Sequence, residues 1–465
     1  MASGVRRVAA EVRRLRQQKV WELGGLFSPW LELPESFGSP KRRRLFPPWR
    51  TFWLFLTQVL SADKACREVV RGFLAWLAFE GGATASPKTA AYCKARRRLR
   101  LRDLQGVHGQ VCRAVQVPPR ARDLWLGRAV KVADGSALSM PDTAANRRIY
   151  PQSPRAKPGC GFPLMRIVGI FSLATGTLLD LAKGTLRVHE RTLFHQLWHL
   201  LEPGDVVLAD CGFCSYADYY CLSQRGIDSV MGNHPRRSVG LTVLRKFRKG
   251  DRLLAWHKTG SCPEWLSRAD WDAMPDRLPV REIRFRVDVP GFRTRAITVA
   301  TTLLDPKAYP TSAFPDLYRR RWMAELFLRD IKISLGMDIL RCKTPAMVHR
   351  ELLVYQIAYN LIRGLMVQAA RTAGLPVYRI SFKGSVATVR QWAPVFAASV
   401  LTPRKRNRLF RTLLSVLARD PVPDRPNRSE PRARKRRPKN YQLLNKPRRL
   451  FKEIQHRNRY RKALS

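Results

Sequence analysis

The apolar positions of residues 1 to about 120 recur with few turn signals, notably across 54–79 and 88–115, and predict helices. The run PPWRTFWLFLTQVL at 47–60 is the most apolar stretch. It falls short of the ~20 residues that cross a bilayer and reads as a buried helix. The opening MASGVRRVAAEVRRLRQQ is Arg-studded and helix-like, without the apolar core of a secretion signal. A proline-containing stretch at 117–119 suggests a boundary.

From about 124 the pattern changes to short apolar runs between turns. AVKVAD (129–134) and DVVLAD (205–210) each read as a buried strand ending on an acid. The runs 163–176 and 177–188 read as a hairpin turning at Ala174-Thr175-Gly176. Helices are expected at 189–201 and at 215–226, the second closed by Gly226, with a strand at 228–233. This order is that expected of a ribonuclease-H-like α/β sheet. Residues 234–303 interrupt it with strand-like runs at 253–259, 280–290 and 292–304. A long helix, from about Tyr309 or Phe314 to Leu335 and closed by Gly336, follows, then a second from Pro345 to Ala370. The expected organisation is a helical DNA-binding region (1–120), a ribonuclease-H-like core (121–233 and 304–400), a β-rich insertion subdomain (234–303) and a basic, partly disordered tail (401–465).

Charge narrows the partners. The chain has 86 Lys plus Arg against 35 Asp plus Glu, a formal net of +51. Such a chain repels itself unless a polyanion neutralises it, and counterion release favours phosphate binding. Charge alone leaves open a protein that coats nucleic acid and an enzyme that works on it. Lys94, Arg96, Arg97 and Arg98, crowded in one predicted helix, are candidates to contact DNA phosphates, although such a run can also be a solvated face. Nine scattered cysteines contain only one C-x-x-C pair, Cys211 and Cys214, without a second pair for zinc. Reduced thiols in a cytoplasmic protein, with no membrane partner and no small-molecule substrate, are the expectation.

The candidate chemistry lies in acids. Asp134 and Asp210 would be delivered by apolar strands to a sheet edge, although each alone could simply cap a turn. In YRRRWMAELFLRDIK, Tyr318, Arg321, Glu325 and Lys332 fall at about 0, 300, 340 and 320 degrees around a regular helix. That face carries a phenol, a guanidinium, a carboxylate and an ammonium.

The spacing Tyr-x2-Arg-x3-Glu-x6-Lys resembles the signature of the insertion-sequence-4 branch of bacterial DDE transposases. DGSALSMPDT at 134–143, LADCGF at 208–213 and TTLLDPKAYP at 301–310 resemble the same family, as do LGMDILRCKTP at 335–345 and EPRARKRRPK at 430–439. The resemblance covers most of the chain after about residue 85. It implies that Asp134, Asp210 and Glu325 hold catalytic Mg²⁺, with Mn²⁺ a possible substitute. It implies that Tyr318, Arg321 and Lys332 grip phosphates near the element's end. The partners would be double-stranded DNA, both terminal inverted repeats and target, with a dimer across paired ends in the bacterial nucleoid. Hairpinned ends are part of the implied reaction, and Trp256, Trp265 and Trp271 are candidates by type to stack a flipped base. A ribonuclease-H-like nuclease without strand transfer, and an inactive DNA-binding relic, remain as rivals.

Other polar residues have plainer readings. His195 and His199 lack the Glu of the metalloprotease pattern. Asp142 follows Pro141 in a turn and caps or supports, Asp205 begins its strand, and Glu351 lacks phosphate-gripping neighbours.

Overall fold

The structure, a computed structural model, describes residues 23–37, 44–79, 81–82, 85–116, 118–233, 241–286, 296–397, 402–423, 444 and 446–451. The Arg-studded opening and most of the basic tail lie outside them.

The N-terminal region is helical: α1 (Gly24–Phe27), α2 (Pro48–Leu60), α3 (Cys66–Phe79), α4 (Ala90–Arg98) and α5 (Leu101–Val115). The apolar run forms α2, with Phe52, Leu54, Phe55 and Leu56 shut away from solvent. Both long stretches are interrupted. Between α2 and α3, the Ser61 hydroxyl accepts the Lys64 N–H and Lys64 takes a left-handed φ of 58°. Between α4 and α5, Leu99 and Arg100 are extended, and chain direction changes without a glycine or proline signal.

Strands β1 (Val130–Ser139), β2 (Leu164–Ser172) and β3 (Leu178–Thr185) form an antiparallel unit. The β2–β3 turn forms where expected, and Gly176 takes φ 71°, a left-handed conformation that favours glycine. Strands β4 (Val206–Ala209) and β5 (Asp228–Gly232) add parallel to β1. The order β3-β2-β1-β4-β5, three antiparallel strands and then two parallel, is that of a ribonuclease-H-like sheet. Helices α6 (Ala144–Ile149), α7 (Glu190–His195) and α8 (Tyr216–Gln224) connect them. The helix expected over 189–201 stops at His195 and continues as a 3-10 turn at Trp198–Leu200, which still buries Leu197 and Trp198.

Residues 241–301 differ from a separate subdomain in how they pair. They form β6 (Leu241–Arg248), β7 (Asp251–His257), α9 (Arg268–Ala273), β8 (Arg277–Arg286) and β9 (Ala296–Thr301). Strand β9 returns antiparallel to β5, with Val230 opposite Thr301, and one nine-stranded sheet results, β3-β2-β1-β4-β5-β9-β8-β7-β6. The physical gain is that β5 is not left as an open hydrogen-bonding edge.

The long helix expected before Gly336 is broken into α10 (Phe314–Arg319), α11 (Trp322–Arg329) and a π turn at Asp330–Ser334. Helix α12 (Pro345–Thr372) is buried along almost its whole length and packs against α5 and α2. Helices α13 (Phe382–Ala397) and α14 (Pro403–Ala418) flank it. The α14 segment corrects the expected tail: Thr402 caps it, and Leu413, Leu414 and Leu417 are buried. Its leucines recur at helical spacing, and α12 and α13 supply the core that the tail by itself lacks.

Two apolar cores sandwich the sheet. One joins a sheet face to α12 and the N-terminal helices, running from Leu23 to Leu417. The other lies under α7, α8 and α9. Alternation along β1 puts Val132 in the first core and Ala133 in the second, so Asp134 and Ser136 share the face toward α11 and α12.

Candidate active site

Asp134 is not at a strand end. Strand β1 runs five residues beyond it, and Asp134 sits opposite Gly169 of β2. The apolar run ended there only because the following positions alternate with less apolar residues. Its Oδ1 accepts the N–H of Gly135 at 2.8 Å. On the other face a Cβ at Gly135 would come within 2.6 Å of the Glu190 carboxyl carbon and displace that side chain's end. Asp210 matches its expectation: it follows β4 directly, and its Oδ1 accepts the Gly212 N–H at 2.8 Å, capping the short 3-10 turn.

Tyr318, Arg321 and Glu325 arrive from the broken helix. At the α10–α11 junction the backbone bonds tighten, with Arg321 N–H donating to Tyr318 O and Ala324 N–H to Arg321 O. Residues three apart eclipse in such a turn. The Arg321 guanidinium carbon accordingly lies 5.9 Å from the Tyr318 ring centre, while its Nη2 donates to Glu325 Oε1 at 3.2 Å. Lys332 lies in the π turn and donates from Nζ to Ser136 Oγ at 2.6 Å. Asp330, buried against Arg363 at 3.0 Å, anchors that turn.

The three acids lie near enough for Asp134 to feel the charges of the other two. Burial pushes the Asp134 carboxyl up to about 6; the negative charges of Asp210 and Glu325 add to this, while the Gly135 N–H and Arg321 pull it down. Burial, with Asp210 and Cys211 nearby, pushes the Tyr318 phenol up to about 12, so it stays a donor at neutral pH. Its hydroxyl fits beside Gly232, where a Cβ would stand 2.5 Å from Oη and 3.2 Å from the Cys211 nitrogen. Among the described residues no three His, Cys, Asp or Glu side chains stand close enough together to hold a metal ion as they are. The three acids meet through their charges, with Arg321 as the nearby cation. Their donor set is all oxygen, the kind that suits Mg²⁺ or Mn²⁺ rather than a thiolate-seeking ion.

A family described as the transposase DDE domain matches residues 125–361, a span holding all three acids. The chain belongs to this family of DDE transposases. The transposase InsG of insertion sequence element IS4 from Escherichia coli (strain K12) is 27% identical over 326 residues, 68% of this chain and 70% of that protein. A solved structure, the piggyBac transposase synaptic complex with hairpin DNA, covers 86% of this chain and 85% of its own at 11% identity and TM-score 0.40, too distant to bear on fold or mechanism. The enzyme is thus a transposase of insertion-sequence type, and the family's chemistry calls for divalent metal ions and DNA.

Other sequence readings sort clearly. On α4, Lys94, Arg97 and Arg98 are exposed, but Arg96 is not. Its guanidinium is buried between the rings of Phe55 and Tyr92 and donates to Gln58 Oε1 at 3.2 Å, so it is withdrawn as a DNA contact. The helix turns Arg96 inward because Tyr92 and Ala95 define its buried side. Trp256 packs on Tyr219, Trp271 is buried against Tyr216, and Trp265 lies against His195 and Trp198. Trp256 and Trp271 are core residues and not open stacking platforms, whereas Trp265 is half-buried against the edge of that core. His195 bonds Asp218 at 2.6 Å, Asp142 pairs with Arg147 at 2.8 Å, and Glu351 is buried accepting the N–H groups of Arg341 and Cys342. No helix among the described residues is long and apolar enough to cross a membrane. Sequence reasoning missed Ser136 and Gly232; Ser136 was recoverable, since it lies two positions from Asp134 on the same strand face.

Proposed function

We propose that the enzyme cuts DNA at the terminal inverted repeats of its insertion sequence and joins the freed 3′ ends to target DNA. In this reading Asp134, Asp210 and Glu325 hold the divalent metal, with Mg²⁺ the physiological ion and Mn²⁺ a substitute. When bound, a pair of such ions stabilises the entering and leaving oxygens of a phosphodiester displacement. The carrying observation is a set of mutually repelling carboxylates, one of them raised to about 6, facing a single nearby guanidinium. A structural network would pair such charges completely.

The chain's own residues do the positioning. Arg321 and Lys332 grip phosphates, Arg321 through its forked donors and Lys332 as a point charge held by Ser136. Tyr318 donates its hydroxyl to a phosphate oxygen, because its raised pKa keeps the proton. A water first hydrolyses one phosphodiester, and the freed 3′ hydroxyl then attacks another. No covalent enzyme intermediate is needed. We read the pathway as cut-and-paste through hairpinned ends, with a dimer formed across paired ends in the bacterial nucleoid.

The regional assignment follows the same reading. Residues 1–120 form a helical DNA-binding region, with Lys94, Arg97 and Arg98 of α4 turned outward to phosphates. Residues 121–233 and 304–400 carry the ribonuclease-H-like catalytic core. Residues 234–303 are the β-rich insertion, and 401–465 the basic C-terminal region whose first part is α14.

The test is cleavage of labelled DNA carrying the element's own terminal repeat, with Mg²⁺ and a target plasmid. Site-specific 3′ nicks and joined products are expected from the wild type. Glu325→Ala is expected to bind the repeat without cutting it. Nicks without joined products would identify a nuclease, and binding without metal-dependent cutting by either protein would identify a DNA-binding relic.

A further inference from the structure

Away from the acids, three elements bring sulfur and a guanidinium together under the N-terminal helices. Cys66 opens α3 and Cys93 lies in α4; their Sγ atoms are 3.9 Å apart. Arg96 Nη2 is 3.3 Å from Cys66 Sγ and 3.6 Å from Cys93 Sγ. Gln58 Nε2 donates to Cys66 Sγ at 3.4 Å. Both thiols are partly exposed, whereas Cys342 close by is buried, and all nine cysteines are free. The α4 side of this cluster is fixed: Arg96 is clamped between two aromatic rings and cannot swing away from the sulfurs.

We propose that Cys66 and Cys93 are a peroxide-sensitive thiol pair that closes into a reversible disulfide tying α3 to α4. A thiolate is the reactive form, and an adjacent cation stabilises it. Here the neighbouring Cys66 thiol and then Arg96 hold the Cys93 sulfur well below the ordinary thiol range, while Cys66 is pushed up and keeps its proton. Cys93 is therefore the attacking sulfur and Cys66 the resolving one. The Cys93 thiolate attacks one oxygen of hydrogen peroxide, the O–O bond breaks, and hydroxide leaves to be protonated to water. The product is a sulfenic acid at Cys93. Cys66, losing its proton, then attacks the Cys93 sulfur, and the sulfenic oxygen leaves as a second water. Two thiols and one peroxide give one disulfide and two waters. The sulfurs must close by about 2 Å to reach bonding distance.

The experiment treats the full-length protein with a few equivalents of hydrogen peroxide and maps its peptides by mass spectrometry. The wild type is expected to give a Cys66–Cys93 cross-linked peptide that dithiothreitol reverses. Cys66→Ser is expected to stop at a sulfenic acid on Cys93, trapped by dimedone. Cys93→Ser is expected to slow oxidation of Cys66 by at least about tenfold. Should a serine variant fail to fold, the cross-link in the wild type carries the test alone. Sulfinic acid at Cys93 of the wild type without any cross-link, or cross-linking dominated by other cysteines, would overturn the proposal.

Discussion

Asp251 and Asp134 both place carboxylates on the same nine-stranded sheet, yet one is fully paired and the other is not. The Asp251 carboxylate receives Arg281 Nε at 2.8 Å and Nη2 at 2.6 Å, together with the Thr311 hydroxyl. Burial alone would push its acid up; those hydrogen bonds outweigh it and hold the carboxyl below its ordinary range. Arg281, fully buried, also donates to the carbonyl of Tyr309 at 2.7 Å. The network therefore fastens β7 and β8 to the segment leading into α10, which carries Tyr318. At Asp134 burial, with two other acids adding to it, outweighs one backbone N–H and the charge of Arg321, and the carboxyl rises. A completed network is a strut, whereas an incomplete one keeps room for a ligand.

The sharpest way to break this contrast is at the incomplete cluster. Asp210→Asn or Glu325→Gln is expected to reduce strand cleavage by at least about 10³-fold, on the order of 4 kcal/mol, with repeat binding kept. Gel-resolved cleavage beside a binding assay reads both, and activity within tenfold of wild type would remove either acid from the site.

The strut predicts the opposite loss. Arg281→Met strands Asp251 in the interior and is expected to lower unfolding stability by about 3–5 kcal/mol. Adding Asp251→Leu is expected to recover much of that loss, because no unpaired charge remains. Denaturant unfolding of the single and double variants decides it, and equal instability of both would mean that packing, not charge, dominates there.

Asp134 gives a pH signature of the reverse sign. With its folded pKa near 6 and its unfolded value near 3.8, the native state holds the extra proton between those values. Metal-free stability should then fall as pH rises from about 4 to 6, and stay lowered above. Asp134→Asn is expected to stabilise the metal-free protein by about 1–3 kcal/mol at pH 7 and by little at pH 4. A variant destabilised equally at both pH values would mean that the carboxylate is a structural partner.

The smallest effect concerns fit. Gly232→Ala would push on the Tyr318 hydroxyl, and cleavage is expected to fall about tenfold through misplacement with the fold kept. Adding Tyr318→Phe is expected not to restore cleavage, because the hydroxyl itself is used; full restoration would remove that hydroxyl from phosphate binding.

Much of this was legible in the chain. The short apolar runs located β4, the first half of β1 and the β2–β3 hairpin, and the charge of Glu325 on the signature helix reaches Asp134. What stayed hidden depends on long-range pairing. Nothing local says that β9 will cap β5, or that Asp134 lies mid-strand, because a strand's end is set by its neighbours. The α10–α11 break falls in a run of arginines with good helix propensity and no glycine or proline. Arg96 shows the same limit: within a basic run, only the partners of Tyr92 and Ala95 decide which cation turns inward.

One guanidinium, Arg321, stands against three acids, and a divalent ion is expected to complete the charge balance. Thermal unfolding of wild type and Glu325→Gln, stripped by chelator and then titrated with Mn²⁺, tests it most directly. The wild type is expected to show a saturable rise in Tm, and Glu325→Gln to lose most of it. Equal rises in both proteins, or none in a wild type that still cuts DNA, would contradict it.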